Sequence, residues 1–456
     1  YMHLPERGLP NLVDGQILRL KRPVYGRPDA PRAWYNQISG FIMGEMGYER
    51  SILDPAMFVL RGKDHTPKGL LVLHVDDLMV ATDGSTEAEA GIQKLYQRFP
   101  FGEWGLVKDT VGGVTYCGKE VVVDQCDGET VVLMRQKGFI DGRLETIPIS
   151  KERKQDLEAH VSKEEQTDFR SVLGSLQWLA TQSRPDVSFG VNQLQKRVND
   201  LRVRDLDAAN RLVKVVRSSS STFCFRNLGR DVCVVSWHDA GLYNSIGVEL
   251  DEDDGQLVQS LADKRLLYSQ KGCCVGICKR EDLDRTCPVP ANLISWKSKT
   301  NKWILESSFS AETHAALLGF ACGQYQRTLL LEIYHGSWVV KHGDQVAWDQ
   351  LMPLYMVTDC KSVYDTIKKD GQSVGDKGTA ISVAVLRQLC TAERQPPGEK
   401  ARILWVPTRH QVADSLTKSG RHLEMQQVVD SGMVTFHGIS QKNLSKSRRV
   451  LHQCES

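Results

Sequence analysis

The sequence has no apolar run long enough to cross a lipid bilayer. Its longest apolar stretch, residues 70–80, is interrupted by His74, Asp76 and Asp77, whereas a membrane-spanning helix needs about 18 or more consecutive apolar residues. Residues 1–5 lack the basic start and apolar core of a secretory signal peptide. We therefore expect no membrane partner, and we expect the sequence to be a fragment of a longer polypeptide.

An excess of charge of one sign is also missing. The 58 Lys and Arg residues nearly balance the 56 Asp and Glu residues, which leaves a net charge of +2, so net charge does not indicate nucleic-acid binding. The tightest group among the twelve cysteines, Cys273, Cys274 and Cys278, lacks the paired spacing and nearby histidines of a zinc site. We expect reduced thiols in a cytoplasmic or nuclear protein.

With 456 residues, 41% of them hydrophobic and 25% charged, the chain has the composition of a globular protein with two or three domains. A polar segment over 147–168 predicts a linker, 249–290 is expected to be rich in loops, and the basic stretch 442–449 is expected to be disordered. Helices are predicted at about residues 32–46, 85–98, 168–183, 187–199, 205–217, 311–325, 361–368, 380–393 and 411–417.

Strands alternate with helices in the C-terminal half, which is typical of an α/β layer. Strands are predicted at 69–75 and 78–81 as a hairpin, in short segments over 110–135, and at 232–237, 293–296, 303–306, 354–358 and 403–406. The fold class that we predict is therefore a mixed α+β and α/β multidomain protein.

Asp76 and Asp77 interrupt the apolar hairpin, and no basic residue lies close to them in the sequence. A divalent cation would compensate them, because Mg²⁺ takes carboxylate oxygens and a pair of ions can clamp the attacking and leaving oxygens of phosphoryl transfer. An ordinary exposed Asp-Asp turn is the alternative, and the local pattern does not decide between the two.

Three segments together resemble a known family. His74-Val75-Asp76-Asp77 resembles the Tyr-Val-Asp-Asp box of copia-type reverse transcriptases. Residues 25–35 are similar to the copia segment Tyr-Gly-Leu-Lys-Gln-Ala-Pro-Arg-Ala-Trp-Tyr, and residues 174–189 match its Gly-Ser-Leu-x-Tyr-Leu and Arg-Pro-Asp-Ile-x-Phe block. The chain thus resembles the Pol polyprotein of copia-type LTR retrotransposons, in its reverse transcriptase and ribonuclease H region.

The polymerase part departs from this pattern. His74 stands where the family has Tyr, and residues 27–29, Arg-Pro-Asp, replace Leu-Lys-Gln. The family also has a further catalytic Asp just before a Tyr-Met-x-Leu-Pro phrase, which corresponds to residues 1–5 here. Because divalent affinity rises with the number of charged oxygen ligands, we expect Asp76 and Asp77 without that Asp to support no DNA synthesis.

Four further acids, Asp239, Glu312, Asp359 and Asp414, stand at strand ends or in helices of the C-terminal half. Singly, each is more typical of a helix cap or a surface carboxylate. Their order, strand-Asp, helix-Glu, strand-Asp, helix-Asp, resembles the ribonuclease H fold, whose four acids converge on two divalent ions, and the phrases at 294–299 and 413–418 are also copia-like. His410, one helical turn before Asp414, is a candidate proton shuttle, although a simple polar role is the better interpretation.

The resemblance implies a partial reverse transcriptase palm with fingers at 1–110, a thumb-like segment at 111–150, a helical connection at 151–225, a ribonuclease H-like α/β domain at 226–425 and a basic tail at 426–456. The implied catalytic and metal ligands are Asp76, Asp77, Asp239, Glu312, Asp359 and Asp414, with Mg²⁺ or Mn²⁺ as cofactor. The candidate nucleic-acid contacts are Tyr25, Gly26, Arg27, Arg32, Lys297 and Lys299.

The implied function is RNA-directed DNA synthesis, inactive in this piece, joined to a ribonuclease H that cuts RNA in RNA–DNA hybrids. The implied partners are the RNA template, the hybrid, deoxynucleotides, and the integrase and protease of the same polyprotein, in a cytoplasmic virus-like particle or in the nucleus. Two alternatives stay open: a decayed or domesticated nucleic-acid-binding protein without catalysis, and a stand-alone nuclease of the same fold.

Overall fold

The computed structural model describes residues 2–3, 11–13, 16–19, 23–24, 26–219, 221–242, 268–368, 374–391, 401–420 and 423–436. The chain divides into two compact units, one made of Tyr1–Trp104 with Glu332–Ser337 and the other of Gly105–Leu331 with Trp338–Ser456. Both contain helices and sheets, so the predicted mixed α/β multidomain class is confirmed. No helix in the described ranges is long and apolar enough to span a membrane.

The first unit packs two helices against an antiparallel sheet of strand order β3-β4-β5-β6. Ile38 and Ile42, one helical turn apart, lie on the buried face of the first helix and share a core with Leu71 of the sheet and Leu95 of the second helix. Its elements are β1 (Met2–His3), β2 (Ile17–Leu18), α1 (Ala30–Gly44), β3 (Glu49–Arg50), β4 (Met57–Arg61), β5 (Pro67–His74), β6 (Asp77–Thr82) and α2 (Thr86–Arg98).

The second unit begins with a small antiparallel sheet and a group of helices. Its strands lie in the order β10-β9-β8-β7, and its helices share a core that includes Phe169, Leu176 and Val213. The elements are β7 (Val114–Tyr116), β8 (Lys119–Cys126), β9 (Glu129–Arg135), α3 (Lys137–Arg143), α4 (Lys163–Gln182), α5 (Ser188–Gln195), α6 (Val203–Ser218) and β10 (Phe223–Phe225).

The predicted linker at 147–168 is wrong in two respects. Helix α4 begins at Lys163, because Ser162 and Glu165 form a capping box at its N-terminus. Upstream, the side chain of Ile147 is buried, and Asn210 of α6 accepts a hydrogen bond from the Ile147 N–H at 2.7 Å and donates one to its carbonyl at 2.9 Å. The polar composition of the segment concealed this anchored position.

A larger sheet forms the rest of the second unit, with strand order β15-β14-β11-β12-β13-β16. β11 pairs antiparallel with β12 and parallel with β14, and β14 pairs parallel with β15. The elements are β11 (Val232–Gly241), β12 (Tyr268–Lys279), β13 (Val289–Ile304), α7 (Ser308–His335), α8 (Ser337–His342), α9 (Gln345–Leu351), β14 (Leu354–Thr358), α10 (Lys361–Lys368), α11 (Lys377–Cys390), β15 (Ile403–Trp405), α12 (Leu423–Ser431) and β16 (Met433–Val434).

Three expectations for this half are corrected. Much of the segment expected to be loop-rich is β12, whose residues Cys273 and Cys274 are fully buried on opposite faces of the sheet, so no polar alternation marked the strand. The predicted strand at 293–296 and the first two residues of that at 303–306 belong to the single strand β13, which ends at Ile304. The predicted helix at 411–417 is a pair of 3₁₀ helices, Thr408–His410 and Val412–Leu416.

The predicted tail at 426–456 is folded over its first part. Helix α12 and strand β16 pack on the large sheet, and Val428, Val434 and Phe436 are buried in its core. The ring of Phe436 stacks on Trp237 of β11, with 5.8 Å between ring centroids. These apolar positions lie before the basic stretch at 442–449, which is outside the described residues.

Replacing Asn210 with Ala is expected to lower the free energy of unfolding of the second unit by about 1–3 kcal/mol, because both backbone groups of buried Ile147 lose their side-chain partner. Urea unfolding monitored by tryptophan fluorescence measures this change. Asn227→Ala is the matched control, since Asn227 is exposed. Equal stability of the two variants would contradict the anchoring role of Asn210.

Candidate metal site

Asp239, Glu312 and Asp359 converge at one end of the large sheet. Each offers one carboxylate oxygen, and the three oxygens lie within 4.8 Å of one another. Asp239 lies near the end of β11 and Asp359 directly follows β14. The parallel pairing of these strands, with Trp237 opposite Val357, brings both acids to the same sheet edge.

Glu312 reaches this edge from the first turns of α7. Its carboxylate accepts a hydrogen bond from the backbone N–H of Ala240, next to Asp239. Its Oε2 atom is buried, and no hydrogen-bond partner for it is found in the described part of the chain. A buried carboxylate oxygen without a partner is costly, so this atom has an unmet requirement for a positive group.

The environment of the cluster opposes negative charge. Asp239 is 1% exposed and Glu312 is 9% exposed. Burial, followed by repulsion from Asp239 and Asp359, raises the pKa of Glu312 well above its usual range. Burial likewise raises the pKa of Asp239 to about 7, although Lys418 and the hydroxyl of Thr417 partly oppose this shift. A divalent cation would relieve this unfavourable electrostatic arrangement.

Asp414 lies beside the cluster and is not among the three acids whose oxygens meet. It is half-buried in the 3₁₀ helix Val412–Leu416 and contributes to raising the pKa of Asp239 by repulsion. The ammonium of Lys418 donates to Oδ1 of Asp414 and lies 3.8 Å from Oδ2 of Asp239. Thr417 donates its hydroxyl hydrogen to the same Asp239 oxygen.

Sequence reasoning missed the residues that hold these acids in place. Gln411, which is 1% exposed, donates from Nε2 to the carbonyl of His238 at 2.9 Å and to Oδ1 of Asp359 at 3.4 Å. A side chain at Gly272 would meet Cβ of Leu416 at 2.6 Å, so this glycine lets the 3₁₀ helix approach β12. The copia-like phrase at 413–418 contained the signal for Thr417 and Lys418, whereas nothing in the sequence indicated Gln411.

Asp76 and Asp77 lie in the first unit, at the turn between β5 and β6, where His74 pairs with Asp77. Both acids are exposed, and among the residues that the structure describes they form no group of three potential ligands. The turn is strained, since the β-branched residue Val75 has φ +57°. Trp34 of α1 donates from Nε1 to the Val75 carbonyl at 2.7 Å and so supports the turn.

The candidate nucleic-acid contacts are distributed over both units. Gly26, Arg27 and Arg32 are exposed in the first unit, and Arg27 pairs with Asp29 at 2.9 Å, whereas Tyr25 lies outside the described residues. Lys297 and Lys299 are exposed on β13. Lys299 lies directly opposite Lys271 of β12, and like charges in this arrangement repel each other.

Curated proteins that are similar in sequence to this chain are retrotransposon polyproteins. No protein-family model matches the chain. The chain is 23% identical over 342 residues to the retrovirus-related Pol polyprotein from transposon RE1 of Arabidopsis thaliana, which covers 73% of this chain and 20% of that protein. It is 23% identical over 423 residues to the corresponding protein from transposon RE2, covering 92% of this chain and 25% of that protein.

The chain is a relative of retrotransposon Pol polyproteins. The predicted resemblance to the copia-type polyproteins is thereby confirmed. The chain spans a fifth to a quarter of the length of the curated proteins that it matches.

The carboxylate oxygens of the cluster fit a hard divalent cation. Mg²⁺ and Mn²⁺ prefer carboxylate oxygens, and Asp239, Glu312 and Asp359 present three of them within one site. The orphaned Oε2 of Glu312 is the specific observation that supports the fit. The same three residues would hold the ion.

Glu312→Gln is expected to stabilise the metal-free protein by about 1–4 kcal/mol at pH 8, because the wild type must keep either a charge or a proton on this buried carboxyl and the amide needs neither. Urea unfolding in the presence of a chelator measures the difference. Glu306→Gln, at an exposed position, is the control and should change little. A loss of stability in Glu312→Gln would show that this carboxylate is not under electrostatic stress.

Proposed function

We propose that the cluster of Asp239, Glu312 and Asp359 binds Mg²⁺ or Mn²⁺ and that the second unit hydrolyses the RNA strand of RNA–DNA hybrids. The observation that carries this proposal is the convergence of three acids, far apart in the chain, on one partly buried point. Their order along the chain, from strand to helix to strand, is the order that the ribonuclease H resemblance implies. The relationship to Pol polyproteins supports the same substrate class.

When bound, the divalent ions would lower the pKa of the attacking water and stabilise the departing 3′ oxygen. The chain's own contribution is to hold the carboxylates in place. Thr417 donates to one oxygen of Asp239, the Ala240 N–H donates to Glu312, and Gln411 donates to Oδ1 of Asp359. Because each acid has its own support, the donor atoms are preorganised before any ion arrives.

Lys297 and Lys299 supply positive charge near this end of the sheet. Lys299 of β13 lies opposite Lys271 of β12, which in turn lies opposite Ala240 of β11, the residue after Asp239. The repulsion between Lys271 and Lys299 would be relieved by a phosphate group of a bound strand. We therefore propose that these lysines contact the phosphate backbone of the hybrid. Binding of the hybrid should then weaken as the salt concentration rises.

A second candidate function belongs to the first unit. We propose that Asp76 and Asp77 are two of the ligands of a site for RNA-directed DNA synthesis, which uses an RNA template and deoxynucleotides, and that these two acids without a further carboxylate support no synthesis. The supporting observation is the turn itself, where strain at Val75, maintained by Trp34, leaves both acids exposed at the tip of a hairpin. By the same resemblance, residues 111–150 and 151–225 would be the thumb and connection. The ribonuclease H-like domain would run from 226 to at least Phe436, because α12 and β16 pack on its sheet.

Asp239→Asn and Asp359→Asn are each expected to reduce cleavage of a labelled RNA–DNA hybrid with Mn²⁺ by more than the roughly 10- to 100-fold that loss of a supporting residue costs. Gel analysis of the RNA strand measures cleavage. Asp284→Asn, which changes an exposed acid of the same unit, should cut like the wild type.

Filter binding of the same hybrid separates the remaining outcomes. A wild-type protein that binds the hybrid and leaves the RNA intact in Mg²⁺ and in Mn²⁺ would refute the nuclease proposal. That result would favour a nucleic-acid-binding protein without catalysis. Cleavage that persists in Asp239→Asn would place the nuclease activity outside this cluster.

A further inference from the structure

Lys418 occupies one side of the acidic cluster. It directly follows Thr417, whose backbone N–H bonds to the carbonyl of Asp414 at 3.1 Å, so its backbone is fixed to the Val412–Leu416 helix. Its ammonium forms an ion pair with Asp414 and lies 3.8 Å from Oδ2 of Asp239. The cluster therefore has a metal-facing side, where Glu312 and Asp359 meet Asp239, and an ammonium-facing side, between Asp239 and Asp414.

The ammonium-facing side has the same donor chemistry as the metal-facing side, since carboxylates line both. A second divalent ion between Asp239 and Asp414 would need the oxygens that Lys418 contacts. It would also lie close to the Lys418 ammonium, because the lysine is tethered four residues from Asp414. Two cations cannot share these oxygens at short range without strong repulsion.

We infer that Lys418 acts as a tethered monovalent cation that excludes a second divalent ion from the Asp239–Asp414 side of the cluster. The inference rests on the proposed metal binding by Asp239, Glu312 and Asp359. In the resting protein that trio holds a single divalent ion. Asp414 becomes a metal ligand only when the ammonium is displaced. The side chain of Lys418 is 39% exposed, so it has room to move away from Asp414.

Lys418 thereby controls metal binding, which a simple surface lysine would not do. An ordinary i,i+4 ion pair on an exposed helix contributes little and affects nothing beyond its partner. Lys137 and Asp141 form such a pair in α3, with 2.5 Å between Nζ and Oδ2 and both side chains exposed. The pair at Lys418 differs because a second carboxylate, the buried one of Asp239, shares the same ammonium.

The test is the number of Mn²⁺ ions bound at equilibrium, measured by electron paramagnetic resonance of free Mn²⁺ without nucleic acid. Every chain compared, the wild-type reference included, also carries Asp76→Asn and Asp77→Asn, so that the candidate ligands of the first unit do not contribute to the count. We expect about one ion per chain for the wild type and about two for Lys418→Met, which removes the charge and keeps the length. Lys418→Arg keeps a positive charge and should bind like the wild type. Lys137→Met is the matched control and should also bind like the wild type.

The double variant Lys418→Met/Asp414→Asn identifies the ligand of the second ion, and its binding should return to about one ion per chain. Thermal unfolding gives an independent readout: added Mn²⁺ should raise the melting temperature of Lys418→Met more than that of the wild type, because additional binding to the folded state adds stability. This second measurement also shows that the variant is folded.

Unchanged stoichiometry and affinity in Lys418→Met would overturn the inference, and so would two ions bound to the wild type. In both cases, loss of Mn²⁺ binding in Asp239→Asn would still support the proposed metal site. Absence of Mn²⁺ binding in the wild type and in every variant would instead refute the proposed function, and the inference with it.

Discussion

The burial of like-charged carboxylates at one sheet edge is the constraint on which the rest of the second unit depends. Folding brings Asp239 and Glu312 out of water and close to Asp359, an arrangement that opposes folding unless positive groups compensate it. Burial of apolar side chains in the core beneath the acids offsets this unfavourable free energy. Trp237, two residues before Asp239 on the same strand, stacks on Phe436 and anchors the strand that carries the acid.

Compensation comes from the chain in two forms. Hydrogen-bond donors hold single oxygens: the Ala240 N–H on Glu312, the Thr417 hydroxyl on Asp239 and the Gln411 amide on Asp359. Among the described residues, Lys418 brings a full positive charge, which lies 3.8 Å from Oδ2 of Asp239 and pairs with Asp414. The cluster is therefore supported unevenly, and Oε2 of Glu312, for which the described residues provide no hydrogen-bond partner, marks the position that an external cation would stabilise.

Sequence patterns predicted what local chemistry controls. The β5–β6 hairpin followed from apolar runs broken by Asp76 and Asp77, and the helix predicted at about 85–98 is α2. Long-range contacts were beyond such patterns. Strand β12 is buried on both faces and so shows no alternation. Gln411 is separated by 173 residues from His238, whose carbonyl it contacts. The convergence of the acids was expected only through the family resemblance.

The two acidic sites differ in what makes a cation favourable. At the hairpin tip, Asp76 and Asp77 are exposed, and water already solvates their charge, so an ion must compete with hydration. In the cluster, burial has already removed most of that hydration from Asp239 and Glu312, so binding an ion releases free energy that folding stored. The hairpin site thus needs further ligands or bound nucleic acid to hold a metal. At the buried site the fold itself makes the binding of a cation favourable. The position of Lys418 then determines how strongly a second ion can bind.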